Sequence, residues 1–412
     1  MTELTVAQDT PIVAAAREEE FLQKVRAIVP NIRARAAEAE EVRQIPEESM
    51  EELMETGIFR LHTPLKYGGL QLGLTAHVEA MRLIGQGCIS TAWATSFLTH
   101  SANRVAKLEP EFQDRLFSEN PNILSCGTNQ PQPGVSLEKQ ADGSYILNGR
   151  WSFASGIMNA RYVEVSLPLG RTETNAETRI TATVPRHQVE IVDVWNMSGM
   201  RGTGSQDIQF TNVVVPAEMV HTYEKRALTV NPGTQLYPDF PFLRYPYHQV
   251  VWAAHAAYVL GGAEHALEIF REEIAPRKKR PWGTGKAIDS PITHAAYGAA
   301  AHKIRTAALI LEAEVRDVVE TYAKPGSDLT YEQRAYLNMD AVAAIHLCQE
   351  AVQILARMSG GSIHRVGHAL DRIQRDIEVL MNHSSGDWSF HSEYAGRVLL
   401  GLGLGNRPEE LF

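Results

Sequence analysis

The chain has 412 residues, 44% of them apolar, a net charge of −10 and a pI near 5.9, enough for two or three packed units with real cores. The acidic balance leaves no basic field for a phosphate backbone, and the short run Arg277, Lys278, Lys279, Arg280 does not supply one, which argues against nucleic acid as a partner. Cys88, Cys126 and Cys348 are widely spaced and fit a reducing cytoplasm rather than a disulfide framework or zinc site, and neither a signal peptide nor an apolar run of about 18 residues is present.

Residues 14 to 120 carry helical periodicity. The clearest start places Pro46 at the first helical position, followed by Glu47 and Glu48, with Met50, Leu53 and Met54 on one face and Gly57 as the stop. From Asn122 to Glu218 the pattern becomes alternating, as in Asp207 to Val213, with Asp142-Gly143 and Asn148-Gly149 expected as tight turns between strands. Helical periodicity returns from Tyr247, with breakers at Pro325-Gly326 and Gly360-Gly361. The expectation is an α+β protein with an N-terminal helical domain (residues 1–121), a middle β domain (122–225) and a C-terminal helical bundle (226–412).

Gly199, Met200, Arg201, Gly202, Thr203, Gly204 is dense in glycine but lies in strand-rich sequence with no helix after it, so it reads as a turn and not a dinucleotide loop. Such a turn lets backbone N–H groups and the hydroxyls of Thr203 or Ser205 approach an anionic or planar ligand. His364 and His368 have i, i+4 spacing without an intervening carboxylate, so they read as surface or packing histidines, and no metal site is expected.

Four segments in order resemble the acyl-CoA dehydrogenase superfamily. They are Pro64 to Leu70 with its Tyr67-Gly68-Gly69; Gly143 to Trp151, similar to a strand-turn-strand at the flavin; Gly199 to Ser205 followed by Phe210 to Pro216; and Gly360-Gly361 followed by Arg375-Asp376. The resemblance implies that family's fold: helical domain, β-barrel or sandwich, and four-helix bundle, in a homotetramer. Two departures matter. The family's base, a Glu after the Arg-Asp, is absent from Val379 to Asp387, and its alternative place falls at Val251 and Trp252; Asp387 is the one carboxylate nearby. The element that helps hold the adenosine diphosphate half of FAD is replaced by Arg280, Pro281, Trp282, Gly283.

The same departures resemble the two-component flavin monooxygenase branch, whose oxygenase receives reduced flavin from a separate NAD(P)H:flavin reductase. Trp151 to Gly156 is similar to its W-x-F-x-S-G, Thr91-Ala92-Trp93 with His100 to its S-T-x-W helix and histidine, and His383 falls where the branch carries a histidine. The resemblance implies FMNH2, or alternatively FADH2, with O2 forming a C4a-hydroperoxide that hydroxylates a phenolic or indolic substrate. It assigns Ser155 to the flavin N5 side, His383 to the peroxide, His100 to a substrate proton and Trp93 to the substrate wall. Thr128, Asn129, Gln130, Trp151, Phe153, Arg201, Thr203 and Ser205 are expected at the flavin. In the aromatic, proline-rich stretch Leu236 to Trp252, Arg244 is a candidate for a substrate carboxylate and Tyr247 for the substrate ring; that stretch also reads as a packed connection between subunits. The alternatives are a dehydrogenase with a displaced base, an N- or S-oxygenase, and a flavin-binding protein without catalysis.

Overall fold

The computed structural model describes residues 11–171, 177–222, 229–279, 285–324 and 326–405. The N-terminal helices are α1 (Pro11–Ala34), α2 (Ala36–Val42), α3 (Glu47–Thr56), α4 (Leu74–Gly87), α5 (Ile89–Ala106) and α6 (Pro110–Glu119). Pro46 stands one place earlier than expected, as the N-cap of α3, and Gly57 closes the helix with φ 86°, its N–H reaching the Met54 carbonyl at 3.1 Å.

The middle of the chain is a sandwich of two four-stranded sheets among the described residues. One has the order β1 (Ser125–Thr128), β4 (Tyr162–Arg171), β5 (Glu177–Pro185), β8 (Val220–Thr222); the other β2 (Ser136–Lys139), β3 (Tyr145–Ala154), β7 (Gln206–Val215), β6 (Glu190–Val192). Leu147, Trp151, Val163, Val165, Ile208 and Phe210 are buried in it. Asp142-Gly143 is the β2–β3 turn, with Asp142 accepting from the Ser144 N–H at 3.0 Å. Asn148-Gly149 is not a turn. It lies inside β3 where the register to β7 slips between Leu147 and Gly149. The Asn148 side chain accepts the Asn212 N–H at 2.7 Å, and Asn212 has φ 51°, so the pair forms a bulge that also reverses the in-out phase of β7.

The remaining helices are α7 (Pro232–Leu236), α8 (Tyr247–Ile269), α9 (Pro291–Ala323), α10 (Tyr331–Ser359), α11 (Ala369–Leu380) and α12 (Trp388–Leu399). Helix α8 is buried almost all round, as a central bundle helix must be. It approaches α4 at backbone distance. A Cβ on Gly85 would lie 2.4 Å from the Tyr258 carbonyl oxygen, and one on Gly261 would lie 2.0 Å from the Arg82 carbonyl oxygen. Glycine at both places therefore fixes the helix pair that carries much of the site. Gly360, with φ 77°, ends α10, while Pro325 and the 280–283 segment lie outside the described residues. No described helix is long and apolar enough to cross a membrane.

Candidate active site

Helices α5 and α8 bring aromatic and imidazole rings together. Trp93 of α5 stacks on His255 of α8 at 4.7 Å between centroids and meets His383, in the loop after α11, edge-on at 4.8 Å. His255 lies 5.5 Å from His383, and Tyr258 and Trp252 pack against His255 at 5.4 and 5.6 Å. The tautomer of His383 is settled by its neighbours: its Nδ1 accepts the Ser385 N–H at 3.2 Å, so the neutral ring carries its proton on Nε2 and offers only a donor there. Burial, reinforced by His391, pushes its pKa down to about 4.

A second file of imidazoles leads to His100. His62 donates from Nδ1 to the Leu72 carbonyl at 2.9 Å, so its Nε2 accepts from His77 Nδ1 at 2.8 Å. His77 is thereby left with a bare lone pair on Nε2, and its ring lies 4.7 Å from that of His100. Tyr247 meets His100 edge-on at 6.0 Å. Burial holds His62, His77 and His100 neutral, His77 being pushed down to about 3.

Polar groups here are buried without partners: Trp93 Nε1, Thr95 and Thr99 Oγ1, Ser96 Oγ, both nitrogens of His100 and of His255, and the Tyr258 hydroxyl. Each such group costs about 1–3 kcal/mol when desolvated and unmatched. A cluster of them on two helices is the mark of a place built for something polar to enter.

The end of β3 faces the same helix α5, since Gly156 sits against the Ala94 carbonyl and Leu98. Beside it runs a chain of hydroxyls with a defined direction. Thr203 Oγ1 donates to the Met200 carbonyl at 2.8 Å, so the 2.6 Å contact between Thr203 and Ser205 must be donated by Ser205. The 2.7 Å contact between Ser205 and Ser155 must then be donated by Ser155. Ser155 has spent its proton inward and can only accept on its other side. Phe153, two residues earlier, has φ 62° and a ring 56% exposed, an apolar plate held out by a bulge between Trp151 and Ala154. A left-handed conformation costs a non-glycine residue about 1–2 kcal/mol, a strain characteristic of functional sites. Thr128 donates to the Ser152 carbonyl at 2.6 Å, and Asn129 is exposed beside it, accepting Arg179 through its carbonyl.

Three expected site residues have their side chains engaged within the protein. Trp151 is fully buried in the sandwich, its indole N–H given to the Ser166 carbonyl at 3.0 Å, so its side chain presents nothing to a ligand. Arg201 ties the glycine-rich turn to the N-terminal helices through the Glu40 carbonyl and to Asn196 at 3.1 and 2.7 Å. Arg244 is bolted to the carbonyls of Tyr322 and Ser327, and Phe242, Leu243 and Tyr245 around it are core. The stretch from Leu236 is therefore mostly a packed connection. His364 and His368 also take structural roles, pairing with Asp371 and capping α11.

The carboxylates near the rings are engaged. Asp387 caps α12 by accepting the Phe390 N–H at 3.0 Å. Glu164 is buried against Arg104 at 3.1 Å. Asp376 accepts the Met200 N–H at 2.6 Å and the Ser90 hydroxyl at 3.2 Å, while burial pushes its pKa up to about 6. A Cβ on Gly199 would strike the Arg375 carbonyl oxygen at 2.2 Å. The glycine-rich turn and the Arg-Asp pair, distant in sequence, are thus one joint. His255 was not singled out from the sequence; the signal was an imidazole in the middle of an alanine-rich, almost wholly buried helix, flanked by Ala253, Ala254, Ala256 and Ala257.

A sandwich between two helical units, with a cluster of imidazoles and aromatic rings beside it, is the architecture of the acyl-CoA dehydrogenases. Residues 15–107 match the acyl-CoA dehydrogenase N-terminal domain and residues 253–388 the C-terminal domain, together more than half the chain, so the chain belongs to the acyl-CoA dehydrogenase superfamily. It is 26% identical to the oxygenase component of p-hydroxyphenylacetate 3-hydroxylase from Acinetobacter baumannii, over 93% of this chain and 89% of that one. It is 27% identical to the oxygenase component of an FADH2-dependent resorcinol hydroxylase from Rhizobium sp., over 92% and 93%. The crystal structure of 3-HSA hydroxylase from Rhodococcus sp. RHA1 superposes with a TM-score of 0.85 at 26% identity, covering 95% of this chain and 99% of that one.

Proposed function

We propose that this chain is the oxygenase component of a two-component flavin monooxygenase that hydroxylates a small aromatic molecule. One observation carries the reading: the rings around Trp93 hold neutral histidines, while Asp387, Glu164 and Asp376, carboxylates of the surrounding segments, are already engaged. The groups left unmatched there are imidazole, indole and hydroxyl groups rather than carboxylates, and they can aim hydrogen bonds.

The rim at the end of β3 fits a flavin. Phe153 offers an apolar face to a planar ring, and the acceptor-only hydroxyl of Ser155 suits the N–H that a reduced flavin carries at N5. Thr128 and Asn129 lie beside that rim, and Thr203 and Ser205 fix the Ser155 proton. When bound, the reduced flavin, FMNH2 or FADH2, supplies activation of O2 and delivery of one oxygen atom. His383 donates from Nε2 to a developing oxygen anion. His100, neutral and with both nitrogens unmatched, takes the proton of a phenol or indole N–H, which makes the ring more nucleophilic. Trp93, Phe97 and Tyr247 exclude water. A separate reductase provides the reduced flavin. Apolar side chains exposed on and after α12, including Trp388, Phe390, Leu399 and Leu402, support a homotetramer, which light scattering tests.

The test of the activity supplies the protein with a flavin reductase, NADH, O2 and a panel of phenols and indoles. Hydroxylated product should appear in proportion to NADH, and Ser155→Ala should divert that electron flow to hydrogen peroxide. Bleaching of a bound flavin by an acyl thioester, with no hydroxylation, would establish the dehydrogenase instead.

A further inference from the structure

The imidazole of His255 is 1% exposed, and neither of its nitrogens has a partner. Two neighbours share that condition: Tyr258, one turn further along α8, and Trp93, stacked on the His255 ring. A neutral imidazole, a phenol hydroxyl and an indole N–H together donate three hydrogen bonds and accept on two atoms, without any net charge. The groups that act electrostatically on His255 are the neighbouring imidazoles of His383 and His77, and Tyr258 feels burial alone. Of the cations in the surrounding elements, Arg104 is paired with Glu164, Lys107 donates to the Tyr245 carbonyl at 3.1 Å, Arg244 is held by the Tyr322 and Ser327 carbonyls, and Arg372 keeps one terminal nitrogen buried without a partner. Among the described residues no lysine or arginine is placed against these three rings to receive an anion.

We propose that this site selects an uncharged aromatic substrate, and that His255, with Tyr258 and Trp93, holds the substrate's hydroxyl, carbonyl or amide substituent by hydrogen bonds. The proposal rests on the aromatic hydroxylase reading and narrows its substrate class. A carboxylate entering the same place would be desolvated with no counter-charge, a cost of several kcal/mol per ion. An amide or hydroxyl of the same shape would satisfy the waiting donors and acceptors. The relative that acts on p-hydroxyphenylacetate handles a carboxylate, so this chain is expected to differ from it in the substituent it accepts.

Isothermal titration of the full-length protein, with flavin present and oxygen absent, compares 4-hydroxyphenylacetamide with 4-hydroxyphenylacetate, two phenols of equal shape that differ in charge. The amide is expected to bind at least about a hundredfold more tightly. His255→Leu and Tyr258→Phe should each weaken amide binding about tenfold, and His255→Asn, which keeps a donor and an acceptor, should weaken it less. Thermal melting of each variant separates this from loss of fold, and the variant that melts as wild type is the one read. Equal or tighter binding of the acid overturns the proposal, as does unchanged amide affinity in both His255→Leu and Tyr258→Phe. It is also overturned if neither the amide, 4-ethylphenol nor 2-naphthol binds more tightly than about 1 mM. Because binding is measured without turnover, a failure of the hydroxylase reading shows separately, as absence of product in the reductase-coupled assay.

Discussion

The hydroxyl chain behind Ser155 gives the sharpest prediction. Removing its middle member, Ser205→Ala, deletes the 2.6 and 2.7 Å hydrogen bonds to Thr203 and Ser155. At about 1 kcal/mol each, the folded protein should lose about 1–3 kcal/mol, since Ser155 and Thr203 are buried and part of their hydrogen bonding goes unmade. The larger consequence is directional. With its inward acceptor gone, Ser155 is free to turn its proton outward, toward the N–H of the reduced flavin, where an acceptor is required. Loss of about 1 kcal/mol of orientation corresponds to a three- to tenfold change in partition between productive and wasteful routes. Hydrogen peroxide formed per NADH consumed should rise by that factor, and the Kd for reduced flavin should weaken in parallel, measured by anaerobic titration. Thr203→Val, which removes the acceptor for Ser205, should act in the same sense, and Thr203→Ser should restore wild-type behaviour. If Ser155→Ala uncouples while Ser205→Ala and Thr203→Val stay within twofold of wild type in both measurements, the direction assigned to this chain is wrong.

Phe153→Gly should relieve about 1 kcal/mol of left-handed strain, so urea stability holds or rises while flavin affinity falls; unchanged affinity would remove Phe153 from the flavin face. Glu164→Ala leaves the Arg104 charge buried and unmatched and should cost about 3–5 kcal/mol in urea unfolding, whereas Arg104→Met with Glu164→Leu should lie much closer to wild type. His77 has its folded pKa lowered to about 3, below the unfolded value near 6.5, so the unfolded chain binds the extra proton as pH falls through that window. Its contribution is complete above about pH 6.5 and declines below it by about 1.4 kcal/mol per unit. The urea midpoint of wild type should therefore fall more steeply from pH 6.5 to 5 than that of His77→Gln. Gly199→Ala places a methyl group against the Arg375 carbonyl and should abolish soluble expression or lower the melting temperature by several degrees.

The succession of helical, alternating and again helical periodicity carried the architecture, because each period reports which face is buried. The details that escaped are those where two distant segments decide together. Asn148-Gly149 has the composition of a turn, yet the Asn212 N–H across the sheet makes it a bulge. The next bulge, between Trp151 and Ala154, puts Trp151 inside and Phe153 outside, where strict alternation would send both the same way. Arg244 looked like a ligand for a carboxylate because a sequence cannot show that the Tyr322 and Ser327 carbonyls are waiting for it. His100, Trp93 and His383 were singled out by a motif resemblance, and each lies among the clustered rings. His255 belongs to no motif; only its burial without a partner makes it visible.

The joint between Asp376 and Met200 has a consequence for how the protein comes into being. It closes a loop of 176 residues, and the companion bond from Asp376 to Ser90 closes one of 286. Contacts so far apart are the slowest to form, because chain entropy must be overcome before they return anything. The turn that orients Ser155 is thus locked only after α11 has been synthesised and docked. A growing chain carries the strands and the hydroxyls but not the lock, so competence to handle oxygen arrives as the last act of folding rather than along the way.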